Sequence, residues 1–365
     1  MNNKKVAIIA NIPAPYREKV YEIVGKEPNI NLKVFYCKKI ESDRKWNIKK
    51  PTYSHTFLRS FTINRGEMHL HFNFTIIKEL KKFNPDIVIT NGFALPMLLG
   101  FFYTHLNKKI HGSFIDGTIQ TEKKLSYLHK FLRKYIFSRS KIFLGPSNET
   151  IKLFRSYGIN EKKIFKSCLA IDNQKFSLKK KKYGNKEFDL LFSGQFIDRK
   201  CPFFFAEVVY ILSKLRTNLS VAVIGSGILE KQFLRKLKES EANISYSGFV
   251  DQEELPSIYS NAKILCMPTK EDCWGVVANE ALASGCPVIT TPYAGIANEL
   301  IIDNETGYVL HLNSEEWVKK INLLLDNKEL YNQMSINGIQ LAKKYNYIDA
   351  ANGIINSIKY SVNEN

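Results

Sequence analysis

The chain has 365 residues, 44% of them hydrophobic and 12% aromatic. That is enough apolar material for more than one packed core, and it excludes disordered, collagen-like and mini-protein classes. Lys and Arg total 53 against 35 Asp and Glu, a formal charge of +18, so the partner should be anionic: nucleic acid, an acidic membrane surface or phosphorylated small molecules.

In chain order, the opening MNNKKVAIIANIPAPYR places basic residues before an apolar run. The run is too short for a signal-peptide core and lacks a small-residue cleavage site, so 6–10 reads as a buried first strand ending in a Pro-containing loop. LKVFYC at 32–37 reads as a second strand. The stretch 87–106 holds no Asp, Glu, Lys or Arg and is long enough to span a bilayer. Its β-branched start, the turn dipeptide Asn91-Gly92 and the apolar run that follows instead predict strand, loop and helix. KIFLG at 141–145, DLLFSG at 189–194, VAVIG at 221–225, ILCMP at 264–268 and PVITT at 287–291 complete a series of buried parallel strands alternating with helical patterns. The fold class is therefore α/β, with two doubly wound, Rossmann-like domains facing a cleft. The boundaries fall at 1–174 and 188–345, with the lysine-rich 175–187 as linker. A closing helix follows at 346–365, with Ile348, Ala351, Ile355 and Ile358 in one apolar stripe across the domain junction.

Six cysteines form no Cys-x-x-Cys pair and suit neither zinc nor a dense disulfide framework, so reduced thiols in a cytoplasmic protein are expected. No HExxH, Asp-x-Asp, Gly-x-Ser-x-Gly or P-loop pattern is present, and no metal site is expected.

The most informative stretch is 267–310. After the strand ILCMP, a polar loop reaches Trp274-Gly275 and a helix runs to Gly285. Gly275 lets the backbone approach a ligand, and the first-turn amides of Gly275, Val276 and Val277 form a diphosphate site at the positive helix end. Glu280, one to two turns in, would accept hydrogen bonds from ribose hydroxyls, and Asp272, eight positions earlier, would reach a sugar ring.

An acid, seven residues, then Glu, followed by Ala-Leu-Ala-Ser-Gly-Cys-Pro-Val-Ile, resembles the donor-site signature of GT-B glycosyltransferases of family 4. The resemblance implies that Asp272 contacts the transferred sugar and Glu280 holds the nucleotide ribose; Glu271 stands beside Asp272 as a second acid. LLFSGQFIDRKCPFFF resembles the phosphate-binding segment, with Gly194 and Lys200 at the matching positions. Gln195 stands where the family has Arg, and Arg199 either compensates or faces solvent. Gly225 in GSG at 225–227 resembles the Gly-x-Gly turn of the donor cleft; with Glu230 where a third glycine would fall, an NAD fingerprint is not supported. Gly248, Phe249 and Val250 match the segment that meets the nucleobase or form a surface turn. Glu299 supports the sugar site or caps a helix. In the amino-terminal half, Asp116 falls at a strand tip where it would help place the acceptor hydroxyl, with His111 near the strand start as the alternative, more in keeping with a structural role.

The resemblance thus implies a retaining, metal-independent transferase with a nucleotide-sugar donor, a UDP-sugar, as co-substrate and no cofactor. Its acceptor would be a glycan or lipid-linked sugar in surface polysaccharide synthesis. The carboxyl-terminal domain would bind the donor and the amino-terminal domain the acceptor. KKLSYLHKFLRKYIFSRSKIF at 123–143 is a basic amphipathic pattern. It either lies on an anionic membrane at the cytoplasmic face or packs on the core with a solvated basic back. No nucleic-acid partner is expected, since no such module accompanies the charge. Two rival readings remain: a basic, non-catalytic nucleic-acid or membrane-binding protein, and a GT-B-fold sugar-nucleotide epimerase.

Overall fold

The computed structural model describes residues 3–41, 46, 50–65 and 68–363. It divides into two compact units, one of Met1–Ala170 with Tyr347–Asn365 and one of Ile171–Asn346.

In the first unit the strands are β1 (Lys4–Ala10), β2 (Ile30–Tyr36), β3 (His55–Phe57), β4 (Phe61–Arg65), β5 (Met68–Phe72), β6 (Ile87–Asn91), β7 (Ile110–Phe114), β8 (Ile142–Gly145) and β9 (Ile164–Lys166). Seven form one parallel sheet in the order β3-β2-β1-β6-β7-β8-β9, while β4 and β5 pair as an antiparallel hairpin. The second unit holds β10 (Phe188–Ser193), β11 (Ser220–Ile224), β12 (Asn243–Gly248), β13 (Ala262–Met267), β14 (Val288–Thr290) and β15 (Gly307–Val309), parallel in the order β12-β11-β10-β13-β14-β15. Each sheet thus grows outward in both directions from its first strand, and the order reverses beside β1 and beside β10. Ligands of such sheets bind beyond the carboxyl ends of the strands at that reversal.

The sequence accounts for these elements directly. Val6, Ala7, Ile8 and Ile9, like Leu190 and Leu191, are fully buried, as strands covered by helices on both faces must be. Four helices carry proline in their first turn: Pro15–Lys26, Leu95–Leu106, Pro202–Leu215 and Leu255–Asn261. There the missing N–H costs nothing. The 87–106 stretch is β6 followed by the helix Leu95–Leu106, and among the described residues no helix is long and apolar enough to cross a membrane.

Two sequence expectations are corrected. The lysine-rich 175–187 is part of the second unit rather than a linker. Phe176, in the helix Asn173–Ser177, is buried with its ring 6.0 Å from that of Tyr259. Lys186 is buried, its Nζ donating to the carbonyls of Ser260 and Ala262 at 3.0 Å each. The buried Phe176 ring anchors the start of the segment, and the two carbonyl bonds compensate the cost of taking the Lys186 ammonium out of water. The last helix, Tyr347–Asn363, belongs to the first unit, where it packs on the helix Pro15–Lys26 and on β8 and β9. Its buried stripe is Ala351, Ile354, Ile355 and Ile358, whereas Ile348 is 63% exposed.

Gly353 lets this helix sit directly on β9: a Cβ there would stand 1.8 Å from the Lys166 carbonyl oxygen. Alanine in a helix interior ordinarily gains about 1 kcal/mol over glycine, but a backbone carbonyl cannot move aside cheaply. Gly353→Ala is therefore expected to lower the melting temperature in scanning calorimetry; an increase would show that the clash relaxes.

Candidate active site

The carboxyl edge of the second sheet is built by interlocked loops. Gly225, after β11, adopts φ +126°, and a Cβ on it would stand 1.8 Å from the Gly194 carbonyl oxygen. Only glycine meets both demands. Its amide donates to Gly248 O at 2.7 Å, Gly194 donates to Ile224 O at 3.1 Å, and Phe196 donates to Ser226 O at 2.9 Å. The Gly-x-Gly turn therefore fastens the loops after β10, β11 and β12 to one another. Phe249 follows at 38% exposure, with Val250 half-buried beside it.

The loops after β10 and β13 are joined as tightly. Arg199 O accepts from Lys270 N at 2.8 Å and from Thr269 Oγ1 at 2.9 Å, and Thr291 Oγ1 donates to Thr269 O at 2.6 Å. The Arg199 guanidinium reaches the Glu271 carbonyl at 3.5 Å, so this half-buried side chain braces the loop rather than extending into solvent. At the centre, the Lys200 ammonium is hydrogen-bonded to Asp272 Oδ2, each side chain only 16% exposed. Asp272 Oδ1 accepts from the Trp274 amide at 3.2 Å. Of the adjacent acids, Asp272 and not Glu271 is the one that meets Lys200. Desolvation pushes the Asp272 carboxyl up, but the charge and hydrogen bond of Lys200, the Trp274 amide and Arg199 outweigh it and hold the group below its ordinary value. The carboxylate thus occupies the contacts an external anion would use: an ammonium and an amide.

Three residues on, Gly275 caps the helix Val276–Ala283 at φ +107° and offers no side chain to its first-turn amides. Trp274 is fully buried and donates from Nε1 to Asn279 Oδ1 at 2.9 Å, which fixes the helix mouth. Glu280, half-buried, accepts a hydrogen bond from Tyr259, whose hydroxyl also bonds Ser193 Oγ at 2.7 Å. Desolvation pushes the Glu280 carboxyl up to about 7, against the lowering effects of Tyr259 and Lys175. Tyr259, Ser193 and Lys175 were not legible as site residues. Tyr259 reads as a core aromatic, and Lys175 is hidden in the lysine run; its Nζ bonds Glu253 at 2.7 Å. Glu299 lies in a series of turns rather than at a helix end, which removes the cap reading. Gln195 is half-buried in the loop after β10.

In the first unit, Asp116 follows β7 at the carboxyl edge of its sheet, with its side chain 35% exposed and Oδ1 3.7 Å from Arg17 Nη2. Desolvation raises its carboxyl, and Arg17 partly offsets this. Arg17 is buried, donates from Nη1 to Ser167 O, Ser167 Oγ and Cys168 O, and lies over the Phe114 ring. His111 is buried with both ring nitrogens engaged, to Thr90 Oγ1 at 3.0 Å and Ser140 Oγ at 2.7 Å, and desolvation lowers its pKa to about 3. It is a neutral structural histidine.

Residues 173–341 match the family model for glycosyl transferases group 1. The second unit is a group 1 glycosyltransferase domain. The chain is 26% identical over 267 residues to a 41.2 kDa protein in the cps region of Klebsiella pneumoniae, covering 67% of this chain and 71% of the relative. It is 26% identical over 220 residues to a Campylobacter jejuni alpha-1,4-N-acetyl-D-galactosaminyltransferase whose name specifies a PP-undecaprenol-linked glycan, covering 59% of each. Matches to other curated glycosyltransferases span about half of their lengths. The Anabaena HepE structure in complex with UDP and glucose matches with a TM-score of 0.74 at 11% identity, over 98% of this chain and 99% of that one. That likeness shows the fold, two Rossmann-like domains of the GT-B glycosyltransferase type.

In the glycosyltransferase domain, Glu280 carries a penalty that depends on pH. Its folded pKa lies above the ordinary 4.5, so the stability associated with its protonated form is complete below about 4.5 and is lost as pH rises through about 7. Glu280→Gln is expected to raise the melting temperature relative to wild type at pH 8 and to leave it nearly unchanged at pH 4.5. An equal difference at the two pH values would contradict this origin.

Proposed function

We propose that the protein is a retaining, metal-independent glycosyltransferase of family 4. It would move a sugar from a nucleotide diphosphate sugar, a UDP-sugar, to a glycan or lipid-linked acceptor in surface polysaccharide synthesis, in the cytoplasm at the inner face of the cell membrane. The observation that carries this reading is the Asp272 carboxylate held by Lys200 and the Trp274 amide at the mouth of the helix that bears Glu280. The UDP in the HepE structure and the lipid-linked glycan in the name of the Campylobacter relative support the donor and acceptor classes.

In this reading the diphosphate takes the Lys200 ammonium and the first-turn amides of Gly275, Val276 and Val277. Positive charge is thereby held where negative charge develops as the glycosidic bond to the diphosphate breaks. Asp272, relieved of Lys200, turns to the sugar hydroxyls. Glu280, oriented by Tyr259, accepts from the ribose, and Gly248, Phe249 and Val250 meet the base beside the Gly194–Gly225 contact. The acceptor oxygen bonds the anomeric carbon on the face the diphosphate leaves, and its proton passes to the departing diphosphate oxygen. Asp116 in the first unit helps place the acceptor hydroxyl.

Lys200→Ala and Glu280→Ala, assayed for sugar transfer with a UDP-sugar, are each expected to lose about 100-fold or more in turnover, the scale of removing one stabilising donor or a positioning contact. Wild-type turnover in both variants would contradict the reading, as would release of an epimerised sugar nucleotide without acceptor.

A further inference from the structure

Arg17 stands in the first turn of the helix after β1 and Asp116 in the loop after β7, and β6 lies between those two strands. The end of β6 is open: a Cβ on Gly92 would meet no atom within 4 Å among the described residues. Asp116 is fixed from both sides. Phe114 and Ile115 before it are buried, with Ile115 donating to Leu144 O at 3.0 Å. Thr118 after it caps the helix Ile119–Lys123 through a reciprocal bond with Thr121. Arg17 is held as firmly, since its Nη1 has three acceptors and its guanidinium lies 4.5 Å from the Phe114 ring centroid.

The remaining nitrogen, Nη2, and Asp116 Oδ1 are both buried, and neither has a hydrogen-bond partner among the described residues. They stand 3.7 Å apart, too far for a hydrogen bond but close enough for strong attraction where water is excluded. A forked contact would spend both carboxylate oxygens on the arginine, as Lys200 and the Trp274 amide spend those of Asp272. Asp116 instead receives the charge of Arg17 and spends no hydrogen bond on it. Its Oδ1 turns inward, so the exposed part of this side chain is Oδ2. An ionised carboxylate only accepts, so a hydroxyl meeting Oδ2 must donate and aim its own lone pairs elsewhere. Burial works against that ionised form, and Arg17 opposes burial. Tyr21, one turn along the same helix, also feels Asp116, while Glu122 in the helix after Asp116 is engaged with Arg133 and Tyr157.

We infer that Arg17 is a positioning residue for Asp116, keeping its carboxylate a pure acceptor with Oδ2 turned outward to orient an incoming hydroxyl. This deepens the proposed function, because it rests on the reading of Asp116 as the group that places the acceptor.

The pairing is tested first without catalysis, by nitrogen-15 NMR of the full chain labelled at arginine. One guanidinium resonance is expected to shift as Asp116 titrates, and that shift should vanish in Asp116→Asn, a half-exposed change that circular dichroism should show to be folded. The positioning role is then read in transfer from the UDP-sugar that wild type uses to an octyl glycoside. Arg17→Gln keeps an amide donor for Ser167 and should raise the acceptor KM about tenfold with the donor KM unchanged. The acid limb of kcat/KM for the acceptor should move to higher pH, since without the Arg17 charge Asp116 protonates sooner as pH falls. Arg17→Lys should return that limb toward wild type, and Arg17→Gln should add nothing on an Asp116→Asn background. A purely structural arginine would leave the limb in place and add its loss to that of Asp116→Asn. Guanidinium resonances indifferent to Asp116, or a folded Arg17→Gln with wild-type acceptor KM and acid limb, would overturn the inference. Should Arg17→Gln not fold, the NMR comparison decides, because it needs only Asp116→Asn. A wild type that transfers no sugar would count against the proposed function, while the NMR shift would still report the pair.

Discussion

The ion pair of Lys200 with Asp272 is the interaction on which the second unit's site depends. Taking both charges largely out of water is costly, and such a pair is stable only when its remaining lone pairs are satisfied. Here the Trp274 amide satisfies the second carboxylate oxygen, and Trp274 is itself fixed through Asn279. The pair therefore ties the loop after β10 to the mouth of the helix after β13, across the point where the strand order reverses. That tie holds the Lys200 ammonium, the Asp272 carboxylate and the Trp274 amide together just before the helix Val276–Ala283.

Glu280 shows the complementary constraint. Burial pushes its carboxyl up to about 7 even though the Tyr259 hydroxyl and the Lys175 charge favour the ionised form. A ligand that donates hydroxyls to it would complete its ionisation, so binding and protonation are linked. The first unit has its own rigid point in Arg17, whose three donations to Ser167 and Cys168 clamp the segment just before the chain leaves that unit.

Much of this was legible from residues alone, for identifiable reasons. Parallel strands buried on both faces write themselves as runs such as VAIIA and DLLFS, and every run so read is a strand. The spacing of Asp272 and Glu280 fixes their places on a loop and the helix it enters, so their proximity to the helix mouth follows from sequence order. Tyr259 was not legible, because an aromatic in a short helix signals packing and its hydroxyl's partners come from two other elements. The charge density of 175–187 reads as exposure and so suggests a linker, whereas the second unit begins at Ile171. One lysine of the run, Lys186, is buried against carbonyls, and Phe176 anchors the start. Ile348 fits the apolar stripe by spacing alone, but the buried face of the helix holds Ile354 and leaves Ile348 exposed.

The claim that Asp272 occupies the place of an external anion has a direct measurement: titration calorimetry of UDP into wild type and Asp272→Asn. Asparagine keeps an oxygen for the Trp274 amide but releases Lys200 and removes a repelling charge. The variant should bind UDP about tenfold more tightly, a difference of about 1.4 kcal/mol, with the gain shrinking as salt is added. Equal or weaker binding by a folded Asp272→Asn protein would contradict the account.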